Sequence, residues 1–149
     1  MSPSLAGSAL WYARRGWPVL PLKAGTKVPA TTHGLKDATT NPDQVRAWWT
    51  RWPDANIGLV TGHLADVIDI DGADGIRSIA DLEDEGHLPP FLGVVSTPRG
   101  WHLYLTPSGD GNATSIRPGI DYRGRSGYVV APPSTVDGAT YRWTQPPTL

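Results

Sequence analysis

The sequence of 149 residues contains no cysteine. This absence excludes disulfide bonds and every zinc site built on thiolate ligands, including a zinc ribbon. Stability must therefore come from the packing of apolar side chains, and no zinc cofactor is expected. A chain of this length can bury a hydrophobic core of its own, and we expect one domain over residues 1–149.

Long apolar runs are also missing. No segment approaches the roughly 18 apolar residues that a membrane-spanning helix needs. The first residues contain no basic leader, and Arg14 and Arg15 interrupt their apolar run, which is atypical of a signal peptide. We therefore expect a cytoplasmic protein without membrane contact. Arginine outnumbers lysine by ten to three, which is typical of GC-rich bacterial, phage or plasmid genomes.

The chain has little net charge, with a formal value of -1. It therefore lacks a general basic surface, and any nucleic acid must be bound by a local patch. The charges are unevenly distributed, however. Eight acids and only Arg77 lie between Asp66 and Glu85, whereas five arginines and three aspartates lie between Arg99 and Arg142. This distribution suits a site for a cation and an anion, and it is also compatible with two solvated faces of different charge.

Hydrophobic periodicity and turn residues predict a mixture of helices and strands. Helices are predicted over residues 4–15, 41–52 and 73–86. Strands are predicted over residues 17–22, 56–62, 66–71, 93–97 and 100–106, in a short run ending at Ile120-Asp121, over 127–133 and at 141–143. A mixed first half followed by a strand-rich half favours an α+β fold. The proline-rich residues 144–149 are expected to begin a linker.

The spacing of apolar residues predicts which helix faces are buried. In the third helix, the residues expected to face the core are Ile76, Ile79, Ala80 and Leu82. The second helix contains Trp48, Trp49 and Trp52. Their spacing favours core packing over stacking on nucleic-acid bases, and Trp49 is expected to be the most exposed of the three.

Two aspartates, Asp69 and Asp71, lie one residue apart in the apolar run VIDIDG. Because side chains alternate along a strand, Asp69 and Asp71 share one face and Ile68 and Ile70 share the other. Two carboxylates roughly 6.5–7 Å apart can converge on divalent ions bound at about 2.1 Å per ligand. A turn at Asp71-Gly72 would explain the second aspartate but not the first.

Two further segments carry polar residues beside glycine. In GWHLYLT, His102 and Tyr104 are expected on the face opposite Trp101, Leu103 and Leu105. Arg99 and Gly100 precede the histidine, and arginine binds phosphate in a fork while glycine permits close backbone approach to a ligand.

Asp121 follows an apolar residue and precedes Arg123 and Arg125, which would also be explained by a simple ion pair. Together with Asp69 and Asp71, it gives three carboxylates next to a histidine and several arginines. Such a set suits nucleotidyl transfer, in which divalent ions and basic groups stabilise a triphosphate.

Residues 11 to 134 resemble the primase-polymerase domain of the archaeo-eukaryotic primase superfamily, the type found at the N-terminus of phage and plasmid replication proteins. The resemblance lies in the order and spacing of GWPVLPLKAGTKVPAT, NPDQVRAWWTRWPDANIGLVTG, VIDIDG, STPRGWHLYL and IDYRGRSGYVVAPPS. It implies an α+β fold in which an RRM-like catalytic antiparallel sheet packs with a smaller α/β unit. It also implies a DNA-templated nucleotidyltransferase that synthesises or extends primers.

The family's motifs imply roles for individual residues. A paired acid motif matches Ile68–Asp71 and implies that Asp69 and Asp71 bind Mg²⁺ or Mn²⁺. A motif of a small residue, any residue and histidine matches Gly100–His102 and implies that His102 contacts the triphosphate. A third motif matches Ile120-Asp121 and implies that Asp121 is the remaining metal ligand. Further nucleotide contacts are expected from Arg99, Gly100, Arg123 and Ser134, although Ser134 would equally suit a turn.

The resemblance also implies partners: a single-stranded DNA template or primer, ribo- or deoxynucleoside triphosphates, and a fused or associated helicase. The chain departs from several relatives because it has no zinc-binding stem. Only 18 residues separate His102 from Asp121. Initiation of strands would then depend on other elements.

Two other functions remain open on the sequence. One is a catalytically weak module that binds nucleotide or single-stranded DNA for a replicative helicase. The other is a metal-dependent replication-initiator nuclease, although that class needs two nearby metal-binding histidines and a helical tyrosine nucleophile, and no His-x-His pair is present. A carbohydrate-binding module would not require these acids together.

Overall fold

The computed structural model describes residues 3–148, so the ends of the expected 1–149 domain lie outside the described residues. The fold is α+β, with helices and antiparallel sheets, as the sequence predicted. It contains two compact units. The first comprises residues 3–60 and Tyr128–Arg142, and the second comprises Thr61–Gly127 and residues 143–148. No helix within residues 3–148 is long and apolar enough to cross a membrane.

The first unit is a small α/β layer. Its elements are α1 (Leu5–Arg14), β1 (Val19–Leu22), a 3₁₀ turn (Gly34–Asp37), α2 (Pro42–Arg51), β2 (Asn56–Thr61), β8 (Gly127–Ala131), β9 (Thr135–Val136) and β10 (Ala139–Thr140). A three-stranded sheet has the order β1-β2-β8, and β9 pairs with β10 in a hairpin. Helices α1 and α2 pack on each other and both contact β1.

Local signals explain both helices of this unit. The Ser4 hydroxyl accepts a hydrogen bond from the Gly7 amide at the start of α1. The Asn41 side chain accepts one from the Asp43 amide at the start of α2, where Pro42 occupies the first helical position. Both arrangements satisfy amides that have no partner within the helix.

The expected exposure of Trp49 was wrong. Trp49 is only 3% exposed, and its indole nitrogen donates to the Ala55 carbonyl oxygen at 3.0 Å. The segment after α2 folds back so that a backbone acceptor meets the indole, which a helical periodicity does not encode. Trp48 and Trp52 are instead half-buried.

The second unit contains a six-stranded sheet and one long helix. Its elements are β3 (Asp66–Asp71), α3 (Gly72–Asp84), β4 (Gly93–Ser96), β5 (Gly100–Leu105), β6 (Ala113–Arg117), β7 (Ile120–Arg123) and β11 (Arg142–Gln145). The strand order is β11-β4-β5-β3-β7-β6. In this order β3 lies between β5 and β7. The pairs β4–β5, β5–β3, β3–β7 and β7–β6 are all antiparallel.

Helix α3 covers one face of this sheet. The buried residues of that face are Ile68, Ile70, Leu103, Leu105 and Ile120, and the partly buried Ile79 and Leu82 pack against them. The alternation predicted for β3 and β5 is thereby confirmed for Ile68, Ile70, Leu103 and Leu105, whereas Trp101, opposite Ile70 on the same face, is 38% exposed.

The prediction for Ile76 and Ala80 was wrong, because Ile76 is 51% exposed and Ala80 is also exposed. Gly75 and Ser78 are buried instead: a Cβ at Gly75 would lie 2.6 Å from the Gly119 carbonyl oxygen, and the Ser78 hydroxyl donates to the Pro118 carbonyl. The 118–119 turn lies close to this side of α3, so Gly75 and Ser78 are buried and Ile76 and Ala80 face solvent.

The C-terminal half differs in detail from the predicted strands. Ile120-Asp121 begins β7 and does not end a strand, because the chain reverses at Gly119, whose φ is +74°. Residues 142–145 form the edge strand β11, Trp143 packs on Tyr104, and the Thr148 amide donates to the Leu92 carbonyl. The residues expected to begin a linker therefore contact the second unit as far as Thr148, while Leu149 lies outside the described residues.

Candidate active site

Three polar side chains form a row across the middle of the six-stranded sheet. Asp69 of β3 is paired in register with His102 of β5 on one side and with Asp121 of β7 on the other. Directly opposed residues of antiparallel strands have Cα atoms about 4.5–5.5 Å apart and place their side chains on the same face. The His102 Nε2 lies 3.5 Å from Asp69 Oδ1, and the His102 side chain is 7% exposed, against 31% for Asp69.

The second aspartate of β3 lies at the strand end next to an arginine. Asp71 shares the face of Asp69 and is paired in register with Gly100. The Arg99 Nε lies 3.0 Å from Asp71 Oδ1, and both side chains are largely exposed. Backbone hydrogen bonds fix this corner, because the Gly72 amide donates to the Arg99 carbonyl and the Asp71 amide donates to the Gly119 carbonyl. The corner therefore presents a guanidinium and a carboxylate together to solvent.

Asp121 is oriented by a backbone donor and a nearby cation. The Ser115 amide donates to Asp121 Oδ1 at 2.9 Å, and Arg123 Nη2 lies 3.4 Å from Asp121 Oδ2. Ser115 has a φ of 48° within the irregular stretch of β6, and this left-handed conformation aims its amide at the carboxylate. The structure thus brings Asp69, Asp71, Asp121, His102 and Arg123 onto one sheet face, with Arg99 and Gly100 at its edge.

The donor set of this face fits a hard divalent cation. Carboxylate oxygens suit Mg²⁺ and Mn²⁺, and Mg²⁺ commonly takes one or two carboxylates, several waters and substrate phosphates. Within residues 3–148, however, no three acidic, histidine or cysteine side chains are gathered into a ready metal cage. The carboxylates contact Arg99, His102 and Arg123 instead. The arrangement therefore fits metal binding by carboxylate pairs that is completed by substrate.

Ser134 does not fit its expected nucleotide contact. It lies in the first unit and is fully buried. Its hydroxyl oxygen accepts from the Ile57 amide at 2.8 Å, and its own amide and carbonyl bond to Ala131 and Tyr141. The alternative of a turn residue explains these contacts, because a hydroxyl with no exposed surface cannot reach a ligand in solution.

A buried acid behind the site was missed by the sequence reasoning. Asp66 is fully buried on the α3 face of β3, and its Oδ2 accepts from the Ser108 amide and hydroxyl and from the Tyr122 hydroxyl. Tyr122 is adjacent to Asp121, so this network fixes β7 against β3. The alternation of DVIDID does place Asp66 on the core face, but its partners lie 42 and 56 residues away.

Stability at alkaline pH is expected to depend on Tyr122. Burial, and secondarily the hydrogen bond to Asp66, raises the pKa of the Tyr122 phenol. The protonated phenol therefore stabilises the folded state fully below the ordinary tyrosine pKa of about 10, and this contribution is lost as pH rises through the higher folded pKa. Urea unfolding of the wild type and of Tyr122→Phe across this range measures it. The free energy of unfolding should fall more steeply in the wild type, and parallel curves would contradict the expectation.

Comparison with protein families matches residues 9–149 to the family described as bifunctional DNA primase/polymerase, N-terminal (Prim-Pol). The matched region includes every site residue described above. No curated protein matches the chain.

Proposed function

Because the chain belongs to the bifunctional DNA primase/polymerase (Prim-Pol) family, we propose that its six-stranded sheet carries the nucleotidyltransferase site. The reaction proposed is primer synthesis or primer extension on single-stranded DNA, from nucleoside triphosphates, in phage or plasmid replication. A replicative helicase, fused or associated, is the proposed partner.

The observation that carries the proposal is the juxtaposition of acids and bases on one sheet face. Asp69 and Asp121 lie opposite each other in the β3–β7 pair, and Asp71 lies two residues along β3. Each carboxylate has a basic neighbour at 3.0 to 3.5 Å. A triphosphate and a divalent cation need this combination, since one requires cationic groups and the other requires carboxylates.

We assign the metal ligands to Asp69, Asp71 and Asp121. When bound there, Mg²⁺ or Mn²⁺ would lower the pKa of the attacking hydroxyl and neutralise charge on the leaving pyrophosphate. The exposed fractions of Asp69 and Asp121, about one third each, leave their carboxylates accessible from solvent.

The arginines are proposed to exchange partners when substrate binds. Arg99 is 74% exposed and contacts only one carboxylate oxygen among the described ion pairs, so its guanidinium can turn toward phosphate. Arg123 contacts Asp121 at a long 3.4 Å. Transfer of both guanidinium groups to the triphosphate would release Asp71 and Asp121 for the cation. His102 is held by β5 beside Asp69, with its side chain 7% exposed, and supplies a further phosphate donor.

In the proposed reaction the 3′-hydroxyl oxygen of the growing strand attacks the α-phosphorus of the bound triphosphate. A new phosphodiester bond forms, the bond from the α-phosphorus to the bridging oxygen breaks, pyrophosphate leaves, and the hydroxyl proton passes to solvent. Arg99, Arg123 and His102 hold the phosphates in line, so catalysis consists of positioning and charge stabilisation.

Incorporation of labelled nucleotide by the purified chain tests this function. We expect product on a single-stranded template in Mg²⁺ or Mn²⁺, and none after chelation with EDTA. Product without an annealed primer would show that this chain initiates strands, whereas product only with a primer would assign initiation to other elements. Both outcomes support the proposal.

The absence of product under all these conditions would overturn it. If the folded protein still bound triphosphate, the chain would be a nucleotide-binding module. Degradation of the template in place of extension would indicate a nuclease.

A further inference from the structure

Two adjoining cavities lie in the first unit, and the function proposed above uses neither of them. The first has a volume of about 580 Å³ and lies between the 31–39 loop and one face of α2. The second has a volume of about 420 Å³ and lies between the β1 end and the turn after α2. Both volumes fall within the range of small-ligand sites, roughly 300–1,000 Å³. Trp52 lines both cavities, so they are neighbours.

The first cavity combines an aromatic wall with uncharged polar groups. Trp48 and Trp52 are four residues apart, so they lie on the same side of the helix end, and both are half-buried. Asn41 and Gln44, both exposed, add amide groups. The acid that lines this cavity is Asp37. Its carboxylate accepts a hydrogen bond from the His33 amide, and this hydrogen bond lowers the pKa of Asp37. A flat, uncharged ring with hydrogen-bonding edges suits these surroundings, and a phosphate does not.

The second cavity has a basic rim. Lys23 and Arg51 line it and are exposed, and Asp54 is the one acid among its lining residues. The Arg51 Cζ lies 4.7 Å from the Trp52 ring centroid, which holds the guanidinium beside the wall shared by the two cavities. Lys23 and Arg51 together suit a phosphate next to a base that stacks in the first cavity.

We propose that these two cavities bind single-stranded nucleic acid. One unpaired base stacks against Trp48 and Trp52 in the first cavity, and the adjoining phosphate lies between Lys23 and Arg51 in the second. Every base has a flat face, so the site accepts a strand without sequence preference. The inference rests on the proposed function and names the segment of the first unit that holds its single-stranded substrate.

Binding of a fluorescein-labelled oligodeoxythymidylate, without triphosphate or divalent cation, tests the site. Trp48→Ala and Trp52→Ala should each weaken the affinity by roughly 5- to 150-fold, because each removes a stacking surface. Trp48→Phe should keep most of the affinity. Arg51→Gln should reduce the salt dependence of binding by about 0.7 in the logarithmic slope, as for one lost phosphate contact. Trp11→Ala is the matched control, because Trp11 is a 38% exposed tryptophan of the same unit outside both cavities.

Unchanged affinity in folded Trp48→Ala and Trp52→Ala proteins would overturn the site, as would an equal loss in Trp11→Ala. If both alanine variants fail to fold, the double variant Lys23→Ala/Arg51→Gln, which changes two exposed residues, tests the site instead. An unchanged salt dependence of its oligonucleotide binding would overturn the site. Thymidine monophosphate should compete only weakly. Strong competition would mean a mononucleotide site, and the proposal of strand binding would be wrong.

A variant without catalytic carboxylates separates this inference from the proposed function. Asp69→Asn/Asp71→Asn should bind the oligonucleotide at least as tightly as the wild type, because the loss of two negative charges lowers the repulsion of a polyanion. Tryptophan-dependent binding without any nucleotide incorporation by the wild type would refute the catalytic function and support the binding site. Incorporation together with tryptophan-independent binding would refute the site alone.

Discussion

Replacing Asp69 with asparagine is expected to lower nucleotide incorporation by about three orders of magnitude or more. Asp69 is the central residue of the row across β5, β3 and β7, where it lies opposite both His102 and Asp121. Asparagine keeps the shape of the side chain but removes the negative charge that a divalent cation requires. Loss of metal binding would remove several kcal/mol of transition-state stabilisation, which corresponds to this change in rate.

The fold should survive the same substitution. The Asp69 side chain is about one third exposed, and the apolar cluster under α3, which includes Ile68 and Ile70, lies on the opposite face of β3. Thermal unfolding of Asp69→Asn should therefore remain cooperative, with a midpoint near that of the wild type.

Asp74→Asn is the matched control. Asp74 is an exposed acid in the first turn of α3 and pairs with Arg77 on the helix surface. Its substitution should leave incorporation unchanged. Wild-type incorporation by Asp69→Asn, or an equal loss in Asp74→Asn, would refute the metal-ligand role of Asp69.

The sequence carried enough information to predict the faces of the central strands. In VIDIDG the isoleucines and aspartates alternate, and the structure places Ile68 and Ile70 in the core under α3 while Asp69 and Asp71 face the other way. The starts of α1 and α2 were equally predictable, because the side chains of Ser4 and Asn41 accept hydrogen bonds from amides in the first turns of these helices. These features depend on neighbours within a few residues, which is why a pattern reveals them.

Features that depend on distant segments were not predictable in the same way. Trp49 is buried because the chain after α2 folds back to offer the Ala55 carbonyl, and α3 is rotated because the 118–119 turn approaches Gly75. The pairing of Arg99 with Asp71 likewise follows from the register of β3 and β5. The motifs therefore named the residues of the candidate site, but only the sheet register shows which of them are neighbours.

Gly100 illustrates this limit. From the sequence, its glycine allows the backbone to approach a ligand. In the structure, Gly100 lies opposite Asp71, and a Cβ on it would be 2.0 Å from the Ile70 carbonyl oxygen. The glycine is therefore required by the close approach of β5 to β3, whether or not a ligand also approaches it.

Gly100→Ala is accordingly expected to reduce both stability and activity. The added methyl group must push the start of β5 away from the end of β3, which costs about 1–3 kcal/mol and lowers the melting temperature by several degrees. The same displacement moves Arg99 relative to Asp71, because the Arg99 carbonyl accepts from the Gly72 amide at this corner. Misplacement by about 1 Å reduces turnover by up to roughly 100-fold.

Thermal unfolding and steady-state incorporation, measured on the same preparation, distinguish the two roles of Gly100. A lower melting temperature together with a lower kcat indicates strand approach. An unchanged melting temperature with only a raised KM for the triphosphate would indicate ligand approach alone and contradict the expectation. Gly111→Ala is the matched control, because its Cβ would meet only the Arg125 carbonyl oxygen at 3.9 Å. A loss of stability in Gly111→Ala as large as that in Gly100→Ala would show that the effect is a general cost of replacing glycine, since Gly111 has room for the methyl group.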